Sequence, residues 1–230
     1  SGAAAAVLGR ASNGWLDWKD VDGRTLGEVM RVSRNGTTKM LSESKRLAIE
    51  STLEELLESG KALTKEQLES SFATFRSRFG PEVLRSVDGE ALLKLMHDQG
   101  DSLVYWLEFK RGDDFDSKQF GSIAGGSAMK FRLFRRKETG RWQAGDERNR
   151  PQDVSLEDAI AIARAHRDQL LKGVQLLEEL PLNATDEEYA ELQDQMDEVA
   201  PDVSRLAWGH KYFSLLFPEK LDDYHSVEWQ

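Results

Sequence analysis

The strand character of this 230-residue chain is concentrated in one stretch, Asp101 to Trp142, and helical patterns flank it on both sides. Leu103-Val104-Tyr105-Trp106-Leu107-Glu108-Phe109-Lys110 is an apolar, aromatic run that ends in charge. Phe131 to Arg136 is a second run, and a Gly-rich connector from Phe120 to Ser127 joins the two. With period-2 alternation, Trp106, Glu108 and Lys110 share one face of a first strand, and Tyr105, Leu107 and Phe109 the other. Phe131, Leu133 and Arg135 alternate likewise with Arg132, Phe134 and Arg136. Thr139-Gly140 is a turn signal, so Arg141-Trp142-Gln143 is expected to return as a hairpin strand. The fold class expected is α+β: a helix-rich domain around a small, mostly antiparallel sheet at about residues 102–144, with a small N-terminal αβ arm.

The helical patterns carry their own punctuation. Leu41 to Glu58 places Ile49, Leu53, Leu56 and Leu57 at helical spacing, and Gly60 stops it. Thr64-Lys65-Glu66-Gln67 is a capping box for a helix that buries Leu68, Phe72 and Phe75, broken at Gly80-Pro81. Asp88 caps a helix through His97, which Gln99-Gly100 ends. Ser155-Leu156-Glu157-Asp158 opens a long helix with Ile160, Ala163, Leu170, Val174 and Leu177 on one stripe, closed by Pro181. Thr185-Asp186-Glu187-Glu188 caps an acidic helix whose apolar face is Tyr189, Leu192, Met196 and Val199, closed by Pro201. Leu206 to Pro218 is the most aromatic stretch and reads as core helix. Residues 1–33 form a separate small module: a helix over Ala3–Leu8, a turn at Asn13-Gly14, a strand at Trp15–Lys19, a turn at Asp22-Gly23 and a helix from Thr25 to Met30. Val32 to Lys39 is a linker, leaving residues 41–230 as the main domain.

Composition narrows the function classes. No apolar run approaches the roughly 18 residues a membrane span needs. The N-terminal stretch is short and has no basic region ahead of its alanines, so it does not read as a convincing signal peptide. There are no cysteines, which removes disulfides, thiolate metal sites and a cysteine nucleophile, and a cytoplasmic setting is expected. The net charge of −10 disfavours a surface that binds nucleic acid everywhere, but the charge is polarised. Residues 130–150 hold eight Lys/Arg against Glu138, Asp146 and Glu147, a local balance of +5, whereas residues 178–202 hold ten acids and no base.

Three chemistries can be weighed on these residues. The Gly-rich connector Gly121 to Lys130 lacks an adjacent Gly-Lys-Ser/Thr and leads to a strand, so it does not read as a nucleotide loop. It is either a structural connector or a backbone approach to DNA at Gly125-Gly126. Glu108-Phe109-Lys110 resembles the Glu-x-Lys half of a metal-dependent nuclease core, with no upstream Asp on a strand to complete it. The histidines His97, His166, His210 and His225 are scattered and lack zinc spacing, so no metal or other cofactor is expected. The basic-aromatic strip is the best functional signal. Lys130, Arg132, Phe134 and Arg136 alternate onto one strand face, and Arg141 and Trp142 return beside them. Guanidiniums contact phosphates, and an aromatic ring can stack on a base lifted from the duplex. The competing reading is a solvated sheet face neutralised, or masked, by the acidic helix over residues 186–198.

Two stretches resemble known families. Ala3 to Arg10, with Asn13-Gly14-Trp15, Trp18 and Asp22-Gly23-Arg24-Thr25-Leu26, resembles the C-terminal part of a small module appended to restriction and DNA-methylase-associated proteins. That likeness implies a sensor of DNA modification and makes Arg10, Asn13 and Trp15 a secondary candidate site. Residues 101–230 resemble the region preceding the motor in McrB-type AAA+ restriction proteins. The strings that carry it are Leu103–Lys110, Phe120–Ser127, Arg135–Gly140, His166–Leu170 and Leu206–Phe213. The resemblance implies a DNA-recognition region of a modification-dependent restriction system, often directed at modified cytosine. It implies as partners DNA, an AAA+ motor in the same full-length chain and a nuclease subunit. No Walker motif is present and Tyr224 to Gln230 carry no stop signal, so the chain is expected to be a non-enzymatic fragment with the motor beyond Gln230. The roles expected are phosphate contact for Arg132, Arg136 and Arg141, base stacking for Trp142 or Phe134, and close backbone approach at Gly125 and Gly126. An assembly scaffold without DNA contact and a Glu108/Lys110 nuclease are the rival readings.

Overall fold

The computed structural model describes residues 42–98, 100–123, 128–145, 150–223 and 225. The expected N-terminal helices, strand and turns, and with them Arg10, Asn13 and Trp15, lie outside the described residues, as do Gly125 and Gly126. The chain divides between Ser70 and Ser71 into two units. In the first, helix α1 (Glu43–Glu58) forms as the spacing predicts but buries none of its residues. Its apolar positions Leu47, Ile49 and Leu53 do not fall on one stripe, and all three are exposed. Helix α2 (Lys65–Phe79) begins at the expected capping box. The amide of Gln67 donates to Thr64 Oγ1 at 3.2 Å and the amide of Thr64 to Gln67 Oε1 at 2.8 Å.

The second unit takes the end of α2, then α3 (Pro81–Ser86), α4 (Gly89–His97) and α5 (Leu103–Glu108). Two 3₁₀ turns follow, Ser117–Phe120 and Ala128–Phe131, and then strands β1 (Leu133–Arg135), β2 (Trp142–Ala144) and β3 (Gln152–Asp153). Helices α6 (Leu156–Glu179), α7 (Asp186–Val199) and α8 (Ala207–Leu216) complete it. The sheet runs β1-β2-β3 with both pairings antiparallel, and it packs against α4 and α6. The architecture is therefore the helix-rich α+β class with a small antiparallel sheet.

The aromatic run 103–110 corrects the sequence reading: it is helix α5, not a strand. Leu103, Trp106 and Leu107 fall at i, i+3 and i+4, and all three are buried, which helix geometry allows on one face and strand alternation does not. Ser102 caps the helix, its side chain accepting from the amide of Tyr105. Trp106 then joins an aromatic core centred on Phe115, which lies 5.2 Å from Trp106, 5.7 Å from Phe75 and 5.2 Å from Phe120 between ring centroids. Phe115 is buried although its neighbours Asp113, Asp114 and Asp116 gave its segment a polar look. Tyr212 closes the core, its hydroxyl donating to Phe79 O at 3.0 Å.

Helix α6 is the long support of the unit. Its cap is the expected one, with Ser155 accepting from the amide of Asp158, and it buries Ala163, His166, Leu170, Val174 and Leu177. A Cβ at Gly173 would lie 2.5 Å from Phe213 Cζ and 3.0 Å from Met196 Sδ, so glycine is what lets α7 and α8 approach α6 there. The Thr185/Glu188 capping box opens α7 as predicted. Helix α8 buries every residue from Trp208 to Leu216, including Lys211. The Lys211 ammonium donates to Ser117 O at 2.7 Å, Ser117 Oγ at 2.8 Å and Gly121 O at 2.6 Å, pinning the first 3₁₀ turn to α8. Burial pulls its pKa down to about 7. Among the described residues no helix is long and apolar enough to cross a membrane.

Lys211→Met removes those donors from Ser117 O, Ser117 Oγ and Gly121 O, so it is expected to lower the unfolding free energy by about 3 kcal/mol. Urea denaturation measures it; a loss below about 1 kcal/mol would show that the ammonium is not a structural tie.

Candidate nucleic-acid interface

The β1–β2 hairpin is where the basic residues meet solvent. Its closing turn is tied by the amide of Gly140 donating to Arg136 O at 2.8 Å and that of Arg136 to Arg141 O at 2.9 Å. Gly140 takes a φ of +67°, which glycine adopts without strain. The register sets Phe134 opposite Gln143 and Arg135 opposite Trp142, and Gln143 in turn opposite Asp153. Continuing it one step puts Arg136 opposite Arg141. One face therefore carries Phe134, Arg136, Arg141, Gln143 and Asp153, and the other carries Leu133, Arg135, Trp142 and Ala144.

This arrangement corrects the expected site. Trp142 is not beside Phe134 and Arg136 but on the opposite face, half-buried, with the Arg135 guanidinium 5.9 Å from its ring centroid. Arg135 is itself held by Gly140 O at 2.9 Å and by Asp98 at 3.5 Å. Phe134 is half-buried too. Arg141 and Arg136 face solvent, with side chains 70% and 56% exposed, and Lys137 between them is exposed. Arg141 donates to Asp153 Oδ2 at 2.8 Å, and Gln143 donates to Asp153 Oδ1 at 2.7 Å. The hydrogen bond from Gln143, then that from Arg141, lowers the Asp153 pKa, and the charge of Arg136 adds to it. Arg136 itself lies 3.8 Å from Glu138.

Lys130 and Arg132 do not extend this face. β1 is only three residues long, and the alternation that would align them with Phe134 requires a continuous strand. Lys130 sits in the second 3₁₀ turn, where its ammonium donates to the buried Glu108 carboxylate at 2.5 Å and to Ile123 O at 2.8 Å. Arg132 takes a left-handed backbone, φ +59°, and its guanidinium turns to Asp202 at 3.6 Å. Asp202 is clamped to α6, exchanging hydrogen bonds with the Gln169 amide group at 2.7 Å in both directions. The carboxylates that meet the basic strip thus include Glu108, Asp202, Glu138 and Asp153. In α7, Asp197 instead takes Ser204, Gln193 and Arg205.

The Glu108-x-Lys110 motif does not assemble a nuclease half-site. It lies at a helix end, Glu108 turns to Lys130, and Lys110 turns to Asp114 at 3.1 Å and to the Trp106 ring. Among the described residues no three His, Asp or Glu side chains gather where a metal ion could sit. Two of the scattered histidines do meet. His166 Nδ1 lies 3.1 Å from His97 Nε2, both rings are buried, and Trp208 packs against both. Burial lowers the His166 pKa to about 4, with Asp202 opposing the fall and Arg132 adding to it. His97 is driven well below its ordinary value by burial and then by His166. The pair was invisible in the sequence because its members are 69 positions apart.

Residues 1–30 match the model of a family described as a domain of unknown function (DUF4357). No curated protein and no solved structure matches the chain.

The buried histidines make stability pH-dependent. In the native state they stay neutral while the unfolded chain takes up protons below about 6.5, so stability is full above that pH and falls as pH drops toward about 4. The slope reaches about 1.4 kcal/mol per pH unit for each histidine. Denaturation curves across this range are expected to show it, and the double variant His97→Leu/His166→Leu to flatten it; an unchanged slope in that variant would contradict a neutral buried pair.

Proposed function

We propose that this chain contacts DNA through the solvent-facing end of the β1–β2 hairpin, as the recognition region of a McrB-type, modification-dependent restriction system. The observation that carries the reading is the exposure of Arg136, Lys137 and Arg141 together at one hairpin end. Their ion pairs with Glu138 and Asp153 are surface pairs, worth about 0–1 kcal/mol each, so a phosphate can replace either carboxylate at little cost. The resemblance of residues 101–230 to the pre-motor region of that family supports the restriction context, with a motor and a nuclease subunit as partners. The reading assigns no catalytic step to the described residues. It narrows the phosphate contacts to Arg136, Lys137 and Arg141, because Lys130 and Arg132 are spent on Glu108 and Asp202.

The net charge of −10 repels DNA at long range, but with a Debye length of about 8 Å at physiological salt the hairpin end acts locally. A second reading, a protein-docking scaffold, is favoured by one observation: Leu47, Ile49 and Leu53 stand exposed on α1.

Charge reversal separates the two. In the DNA reading, Arg136→Glu/Arg141→Glu weakens binding to a labelled duplex by more than tenfold and reduces the slope of log K against log salt by about 2. Retention of wild-type affinity and slope by a folded double variant would leave the scaffold reading standing.

A further inference from the structure

We infer that Arg136 and Arg141 form a two-guanidinium seat for one phosphodiester of the DNA backbone, and that the Asp153 carboxylate, bonded to Arg141, competes for this seat when DNA is absent. The inference rests on the hairpin's being the DNA contact, and adds to it which atoms are recognised and what competes for them. The register brings two arginines directly opposite each other on one face, where cross-strand Cβ atoms lie about 5 Å apart and like charges repel. Such a pair is stabilised by an anion that both can reach. Asp153 follows on the same face, across Gln143, and supplies an anion to Arg141 from within the chain. It accepts from Arg141 at 2.8 Å, while Arg136 lies 3.8 Å from Glu138, a second carboxylate that a phosphate would replace. A carboxylate held by guanidinium donors is the side-chain counterpart of a phosphate held by the same donors. Asp153 is fixed by Gln143 at 2.7 Å on its other oxygen, so it stays at the seat's edge when displaced from Arg141.

The same geometry argues against base stacking on Trp142. Trp142 lies on the opposite face beneath Arg135, and a base could reach its ring only by displacing Arg135 from Gly140 O and Asp98. Phe109 is the exposed ring nearest in sequence. It sits at the far end of α5, next to the Glu108–Lys130 pair, while Arg135 meets Asp98 near the start of that helix. On the arginine face the ring this hairpin offers a base is the half-buried Phe134.

The test is a set of binding measurements on the whole chain with a short fluorescein-labelled duplex and its single strand at fixed salt. Asp153→Asn keeps an oxygen for Gln143 and removes the competing charge, so it is expected to tighten duplex binding at least threefold. Asp153→Ala is expected to do the same, which covers the case that the asparagine perturbs β3. Trp142→Phe is expected to leave affinity within twofold of wild type. Unchanged or weaker binding by both Asp153 variants, or a tenfold loss in Trp142→Phe, would overturn the seat while Arg136→Glu/Arg141→Glu still reports on the hairpin. If that double charge reversal has no effect, or if neither probe binds at low salt, the DNA reading and the seat fall together.

Discussion

The second unit depends on the stacking of aromatic rings around Phe115. Trp106, Phe75 and Phe120 reach it from three different elements, and each such ring removes a large apolar area from water. This demand decides the conformation of residues 103–108, because only a helix turns Leu103, Trp106 and Leu107 to the same side. It also decides where Glu108 goes: one residue past the buried Leu107, its carboxylate is carried inward and met by Lys130. The sheet is then a small ledge on α4 and α6 rather than the centre of the fold.

Buried polar groups tie elements of this unit together. Lys211 ties the 117–121 turn to α8, and the neutral His97–His166 pair fills the space between α4 and α6 under Trp208. Asp202, Gln169 and Arg132 cover that pair from the surface side. The hairpin is thereby anchored at its base and left bare at its end, an arrangement that gives the exposed arginines a rigid mount.

Much of the helical framework was legible because its signals are local. The boxes at Thr64/Gln67 and Thr185/Glu188 satisfy backbone amides within a single turn and formed in full, while at Ser155/Asp158 the serine caps but Asp158 takes its hydroxyl rather than its amide. The hairpin was legible for the same reason, through Thr139-Gly140. The failures are all non-local. A six-residue apolar run fits either period, and only its packing partners choose. Phe115 was hidden among aspartates, and the two-residue β3 offers no pattern at all. At the candidate site, the face shared by Phe134, Arg136 and Arg141 followed from alternation. Lys130, Arg132 and Trp142 did not, since one left-handed residue ends the alternation and the hairpin register sets Trp142 on the far side.

That left-handed residue has a mechanical meaning. For any residue with a Cβ, the small basin that Arg132 occupies is walled off by steric clashes from the broad regions at negative φ. The hairpin can therefore librate about this joint within that basin, but it cannot pass gradually out of it as it could about a glycine. It holds one heading, and a different heading requires a discrete jump over a steric barrier with Asp202 let go.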